Sequence, residues 1–152
     1  MDTLSSELKQ QLHEIFVNDP VAKKLEANLR EWGSGQATVE LIINKDHTNF
    51  LGSGHGGVLF TLGDIAFSYA CNSYGRKSLA IHVSLDYHRG VHQGDTIVAT
   101  VTEINRSRRL ANHRIEIHHG THLVASGSAL AFRTDDWHLE KESWPQAWQE
   151  NH

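Results

Sequence analysis

Few features of this 152-residue chain point away from an ordinary globular fold, and the scarcities narrow the field first. There is one cysteine, Cys71, so no internal disulfide is available, and its setting among apolar residues suits a small buried side chain in a reducing compartment. Only two prolines occur, and no low-complexity run, so no stretch reads as a stiff or disordered linker. No apolar run approaches the length of a membrane span, and no basic-then-apolar leader opens the sequence, so the expectation is a cytoplasmic protein. Positive charge is not in excess either: the net charge of −4 argues against nucleic acid or an anionic membrane as partner.

What is present is concentrated in Gly54-His55-Gly56-Gly57 and the apolar stretch that follows it to Cys71. That stretch is too long for a typical strand and right for a helix, and its large residues fall all round a helical wheel, which predicts a wrapped, buried helix. One acid interrupts it. Asp64 is the only formally charged residue between Asp46 and Arg76, and a carboxylate there costs several kcal/mol unless it is paired, hydrogen-bonded or neutralised.

Before it, Leu4, Leu8, Leu12, Ile15 and Phe16 recur at helical spacing over 4–17. Asn18-Asp19-Pro20 ends that helix and starts a second, with Val21, Ala22, Leu25 and Leu29 as its apolar side. Trp32 to Gly35 reads as a turn, and Ala37, Val39, Leu41 and Ile43 as the first strand. After the helix, strands are expected over 78–88, 95–106, 109–118 and 122–133, separated by short turn signals, so the sheet is antiparallel. The pattern divides the chain into an N-terminal helical extension (1–35), an α+β core of antiparallel sheet curled round one helix (36–133), and a tail (134–152) carrying Trp137, Trp144 and Trp148. Strand order does not follow from the pattern.

The chemistry follows from the glycines and the acid. A glycine-rich start leaves backbone N–H groups without helical partners, suited to an anion or a developing oxyanion. Gly56 and Gly57 offer no side chain to block a carbonyl; His55 can add a donor or order the loop; Asn49 can hold a carbonyl oxygen or a water. Asp64 can serve as general base or nucleophile. Eight residues of helix separate it from Gly56, about 12 Å, so one carbonyl reaches both only if two such helices pack antiparallel in a symmetric dimer. His118, His119 and His122 lack zinc-ligand spacing and company, and read as surface with no metal. Arg106, Arg108, Arg109 and Arg114 read first as a solvated hairpin; in a coenzyme-binding reading that run, or Arg89 with Lys77, would meet phosphates.

Asn49, His55-Gly56-Gly57 and Leu62-Gly63-Asp64 with Ala66 together resemble the signature of hotdog-fold acyl-CoA thioesterases, most closely the phenylacetate-degradation (PaaI) type. The run Ala66 to Ser73, Leu85-Asp86-Tyr87-His88-Arg89 and Gly94-Asp95 extend the likeness to about residues 37–132. The resemblance implies a hotdog fold, hydrolysis of aryl- or medium-chain acyl-CoA (phenylacetyl-CoA-like), and a homodimer assembling into a homotetramer. It also implies Asp64 as catalytic carboxylate, the Gly56 N–H as oxyanion donor and Asn49 as positioning group, with His55 beside them. Gly57, Ser68, Arg89 and Arg108 complete the expected substrate contacts. No cofactor is needed, coenzyme A being part of the substrate. Gly63 stands where the family usually has alanine, Gly90 where proline is common, and Ala80 where some relatives carry a serine; Ser68 could substitute for that serine. A non-catalytic acyl-CoA-binding protein, an enoyl-CoA hydratase or dehydratase, and a purely structural oligomer remain as alternatives.

Overall fold

The computed structural model describes residues 4–152. Helix α1 (Ser6–Val17) is capped by the Ser5 hydroxyl, which accepts from the Leu8 N–H, and it buries Leu8, Leu12 and Phe16. Helix α2 (Pro20–Leu25) starts with Asp19 capping and proline at the first position. It ends sooner than its apolar spacing predicts, because Glu26 turns into the left-handed region at φ 63°. The chain then forms a strand, β1 (Asn28–Gly33), where the sequence reads as helix and turn. Its residues do not alternate cleanly, since β1 is an edge strand that buries chiefly Trp32.

Strands β2 (Gln36–Ile42), β3 (Arg76–Tyr87), β4 (Thr96–Arg106), β5 (Leu110–His119) and β6 (His122–Trp137) complete one antiparallel sheet in the order β1-β2-β4-β5-β6-β3. The sheet thus recruits residues on both sides of 36–133. Long helix α3 (Gly56–Asn72) lies across it, packed on β2, β3, β4 and β5, with Leu62, Ala66 and Phe67 fully buried against Ile115, Ile117 and their neighbours. Gly63 has a structural reason: a Cβ there would stand 3.2 Å from Cγ2 of Ile115, so glycine lets the helix settle onto β5. On its far side α3 is covered by the N-terminal segment, where Phe16 stacks on Tyr69 and meets Trp32 edge-on.

The helix is not wrapped all round, in contrast to the expectation from its apolar wheel. Gly57, Phe60, Thr61, Asp64 and Ser68 fall on one stripe that remains open or half-open. Beside this open side runs the sheet's edge strand β3, with Leu79 60% and Ile81 55% exposed. Leu79 and Ile81 thus leave an apolar strip on the unpaired edge of the sheet.

Beyond β6 the chain folds back over the C-terminal end of α3. A short helix α4 (Gln146–Asn151) seats Trp148, whose indole N–H donates to the Tyr74 carbonyl at 2.8 Å. Trp144 fills the space beside Gly75, where φ is +86° and a Cβ would collide with the indole ring. No helix among the described residues is long and apolar enough to cross a membrane.

Candidate active site

Residues 44–55 bring the chain from β2 to the start of α3 through a loop that its own side chains hold in shape. Buried His47 accepts from the Asn44 N–H through Nδ1, and its carbonyl accepts from the His55 N–H at 2.8 Å. Asn49 folds the tip: its Oδ1 accepts from the N–H groups of Leu51 (2.9 Å) and Ser53 (3.2 Å). The amide oxygen is therefore spent on the loop. Among the described residues its Nδ2 has no protein acceptor, and that end is left to donate to a ligand. Gly54 is drawn against the segment after β3, its N–H donating to the Val91 carbonyl at 2.8 Å.

His55 is the N-cap of α3, and its Nδ1 accepts from the Gly57 N–H at 2.9 Å. Of the two glycine amides at the helix start, Gly57's is thus engaged, and Gly56's has no protein acceptor among the described residues. Gly56 is the first residue of α3, so its N–H lies at the positive end of the helix dipole. Tyr87, at the end of β3, donates its hydroxyl to the Gly56 carbonyl at 2.7 Å and fixes that peptide. The sequence places Tyr87 in a motif but assigns it no role, since alternation along a strand does not disclose that its end meets the start of α3. Gly54, Gly56, Leu59, Tyr87, Arg89 and Val91 line a cleft of about 370 Å³ at this point, with the exposed Arg89 on its rim.

Asp64 lies two turns along α3 on the open stripe. It is half-buried and has no hydrogen bond or ion pair among the described residues, so it is no member of a structural salt bridge. Burial, and secondarily the charge of Asp19, raise its pKa above the ordinary carboxylate value. A carboxylate made more basic and left unpartnered is suited to take a proton or attack an electrophile. Ser68, one turn further, donates its hydroxyl to the Ile65 carbonyl at 2.7 Å, which leaves its oxygen available only as an acceptor.

Gly54, Gly56, Gly57, His55 and Arg89 are gathered at one end of α3, and Asp64 and Ser68 sit along its open face. Arg108 is not with them: it belongs to the β4–β5 turn and lines a separate cleft at the other end of the sheet. Within one chain the structure does not bring Arg108 to Gly56.

The Thioesterase superfamily profile matches residues 51–126, the span from the loop through α3 and into β6. The acyl-coenzyme A thioesterase PaaI of Escherichia coli (strain K12) is 34% identical over 114 residues, covering 75% of this chain and 81% of its own. The solved structure of E. coli PaaI superposes with a TM-score of 0.83 at 32% identity, over 89% of this chain and 99% of that one. An asparagine-to-aspartate variant of the phenylacetic acid degradation protein PaaI from Thermus thermophilus superposes at 0.74, 34% identical, over 76% of this chain and all of its own.

Proposed function

Because this chain belongs to the thioesterase superfamily and is a hotdog-fold thioester hydrolase, we propose that it hydrolyses aryl- or medium-chain acyl-CoA, phenylacetyl-CoA-like substrates first, at a site shared by two copies. The observation that carries the reading is the pairing of a free Gly56 N–H with an unpartnered, basic Asp64 that the same helix holds about 12 Å away. Two α3 helices laid antiparallel along their open stripes put Asp64 of a second copy beside Gly56, and β3 edges carrying Leu79 and Ile81 are available to join the two sheets.

In that arrangement the thioester carbonyl accepts from the Gly56 N–H, which carries the charge that builds on oxygen. The Asn49 amide N–H₂ is a second donor, while Tyr87 and His55 keep the loop in place. Asp64 of the second copy activates a water that attacks the carbonyl carbon, or attacks it directly to form an anhydride that water then opens. Either route breaks the C–S bond, releasing the free acid and the coenzyme A thiolate. Arg89 at the cleft rim is placed to meet a phosphate of the substrate. Pairs of dimers forming a tetramer, a cytoplasmic setting and a place in phenylacetate breakdown complete the proposal; the likeness to PaaI proteins supports them.

Release of free thiol from phenylacetyl-CoA and from straight-chain acyl-CoAs tests the reading. Asp64→Ala should lower kcat by about 10²–10⁴-fold, with the oligomer unchanged by light scattering. Full activity in an enforced monomer would sink the shared site. Binding without turnover of any thioester would instead favour a non-catalytic acyl-CoA-binding protein.

A further inference from the structure

Gly56 and Gly57 start α3 without side chains, and glycine ranges over more of φ/ψ space than any other residue. A backbone amide at such a start swings unless the peptides around it are held. Here they are held one after another. The His55 carbonyl, on the same peptide as the Gly56 N–H, accepts from the N–H groups of Val58 (2.9 Å) and Leu59 (3.3 Å), and the His55 N–H donates to the His47 carbonyl. The next peptide is gripped at both ends: the Gly57 N–H donates to His55 Nδ1 at 2.9 Å, and the Gly56 carbonyl accepts from the Tyr87 hydroxyl at 2.7 Å. One peptide further, the Gly57 carbonyl accepts from the Thr61 hydroxyl at 2.8 Å. In their midst the Gly56 N–H has no protein acceptor among the described residues.

Of these bonds, those to His47, His55, Val58, Leu59 and Thr61 stay within the loop and the first turns of α3. The Tyr87 bond does not. Tyr87 is the last residue of β3 and 31 residues from Gly56, so its hydroxyl ties the helix start to the sheet's edge strand. Its ring lies against Gly56 as well, with Cζ 3.2 Å from where a Cβ would stand. A tyrosine with half its surface exposed could turn its hydroxyl to water; this one turns it onto a backbone carbonyl. A carbonyl only accepts, so the phenol spends its single proton there and has none to give a substrate. Burial raises the Tyr87 pKa above the ordinary tyrosine value, so that proton is kept at neutral pH.

We propose that Tyr87 is a positioning residue for thioester hydrolysis: through the Gly56–Gly57 peptide it holds the Gly56 N–H in the place where the oxyanion develops. The role rests on the thioesterase function proposed above. Donors contribute most to an oxyanion when they are fixed before the charge appears, because no reorganisation is then needed at the moment of reaction. A glycine pair supplies the access and Tyr87 the rigidity that the pair lacks. The same bond sets the donor's place relative to β3, the edge at which a second copy would bring its Asp64.

Tyr87→Phe keeps the ring and removes only the hydroxyl. For phenylacetyl-CoA, kcat should fall about 10-fold, with KM held within about 2-fold and the oligomer unchanged by light scattering. Affinities for two non-hydrolysable analogues separate positioning from packing. A trifluoromethyl ketone in place of the thioester forms a tetrahedral hydrate and reports on the oxyanion contact; a thioether, which has no carbonyl, does not. The variant should lose about 10-fold in affinity for the ketone and nothing for the thioether. Both affinities are read on folded, assembled protein, so their ratio stands even in a variant of lowered stability. Unchanged kcat, or equal losses for the two analogues, overturns the proposal. A wild type that turns over no thioester refutes the thioesterase reading and this role with it, whereas an active wild type matched by the variant refutes this role alone.

Discussion

At the N-terminal end of α3 the backbone is bare: Gly54, Gly56 and Gly57 surround the helix start, one amide has no acceptor among the described residues, and the nearby cleft has a single arginine on its rim. At the C-terminal end of the same helix the backbone is covered: Trp144 presses on Gly75, Trp148 bonds the Tyr74 carbonyl, and arginines fill the wall beside them. The first end is organised to present unsatisfied groups, the second to satisfy them. Substitutions at the first should therefore move rates more than stability, and those at the second the reverse.

The largest stability change is expected from Trp144→Ala. Its indole is 2% exposed and its N–H donates to the His138 carbonyl at 2.8 Å, so truncation leaves both a cavity and an unpaired carbonyl. A loss of about 3–5 kcal/mol should appear in urea unfolding, while kcat per folded molecule stays within a few-fold. A collapse of kcat in protein that remains folded would merge the two ends.

Gly56→Ala is the counterpart. A Cβ there would stand 3.2 Å from Cζ of Tyr87, whose hydroxyl fixes the Gly56 carbonyl, and the methyl would push the peptide away from the position a carbonyl must reach. The expected loss in kcat/KM is about 10²-fold, with the melting temperature nearly unchanged.

The two ends also titrate in opposite directions. His113, on β5 against Phe67, is fully buried with no well-formed hydrogen bond to either ring nitrogen among the described residues, and burial, only partly offset by the Ala111 backbone, lowers its pKa from 6.5 to about 4. Its Nε2 is 3.9 Å from Glu103 Oε2, within range of an ion pair, but that contact lacks a hydrogen bond and burial prevails. The unfolded chain takes up the proton first, so stability present above pH 6.5 is lost on acidification towards pH 4, roughly 3 kcal/mol across that window. Asp64 works the other way: its raised pKa favours the folded state at low pH, an advantage lost as pH rises through the folded value. His113→Phe should flatten the acid limb of a stability-against-pH curve, and Asp64→Asn the limb at higher pH.

How legible each end was in the sequence follows from the range of its interactions. The N-terminal end is written in adjacent residues: His55 caps the helix that Gly56 begins, and a spacing of eight places Asp64 on the open stripe. Wheel position alone could not show that the stripe is open, because Phe60 is as apolar as any core residue; exposure depends on which strands the sheet supplies. Strand β1 was hidden because Glu26 breaks the helical pattern in the left-handed region and an edge strand need not alternate. At the C-terminal end nothing local signals the outcome. Arg76, Arg106 and Arg133 lie on three strands brought together by register, and the tryptophans after them carry no periodicity.

Trp148→Phe makes the finest test of the comparison. The ring would still fill its site on Tyr74, but the hydrogen bond to the Tyr74 carbonyl, 2.8 Å long and buried, would be lost. The cost should be about 1–2 kcal/mol, read as a lower urea midpoint with an unchanged slope. Because the indole touches nothing at the Gly56 end, the KM and kcat for phenylacetyl-CoA should hold at temperatures well below unfolding. A shift in kcat there, without a shift in stability, would mean that the C-terminal segment positions the catalytic face of α3, and the division between an end that reacts and an end that holds would have to be redrawn.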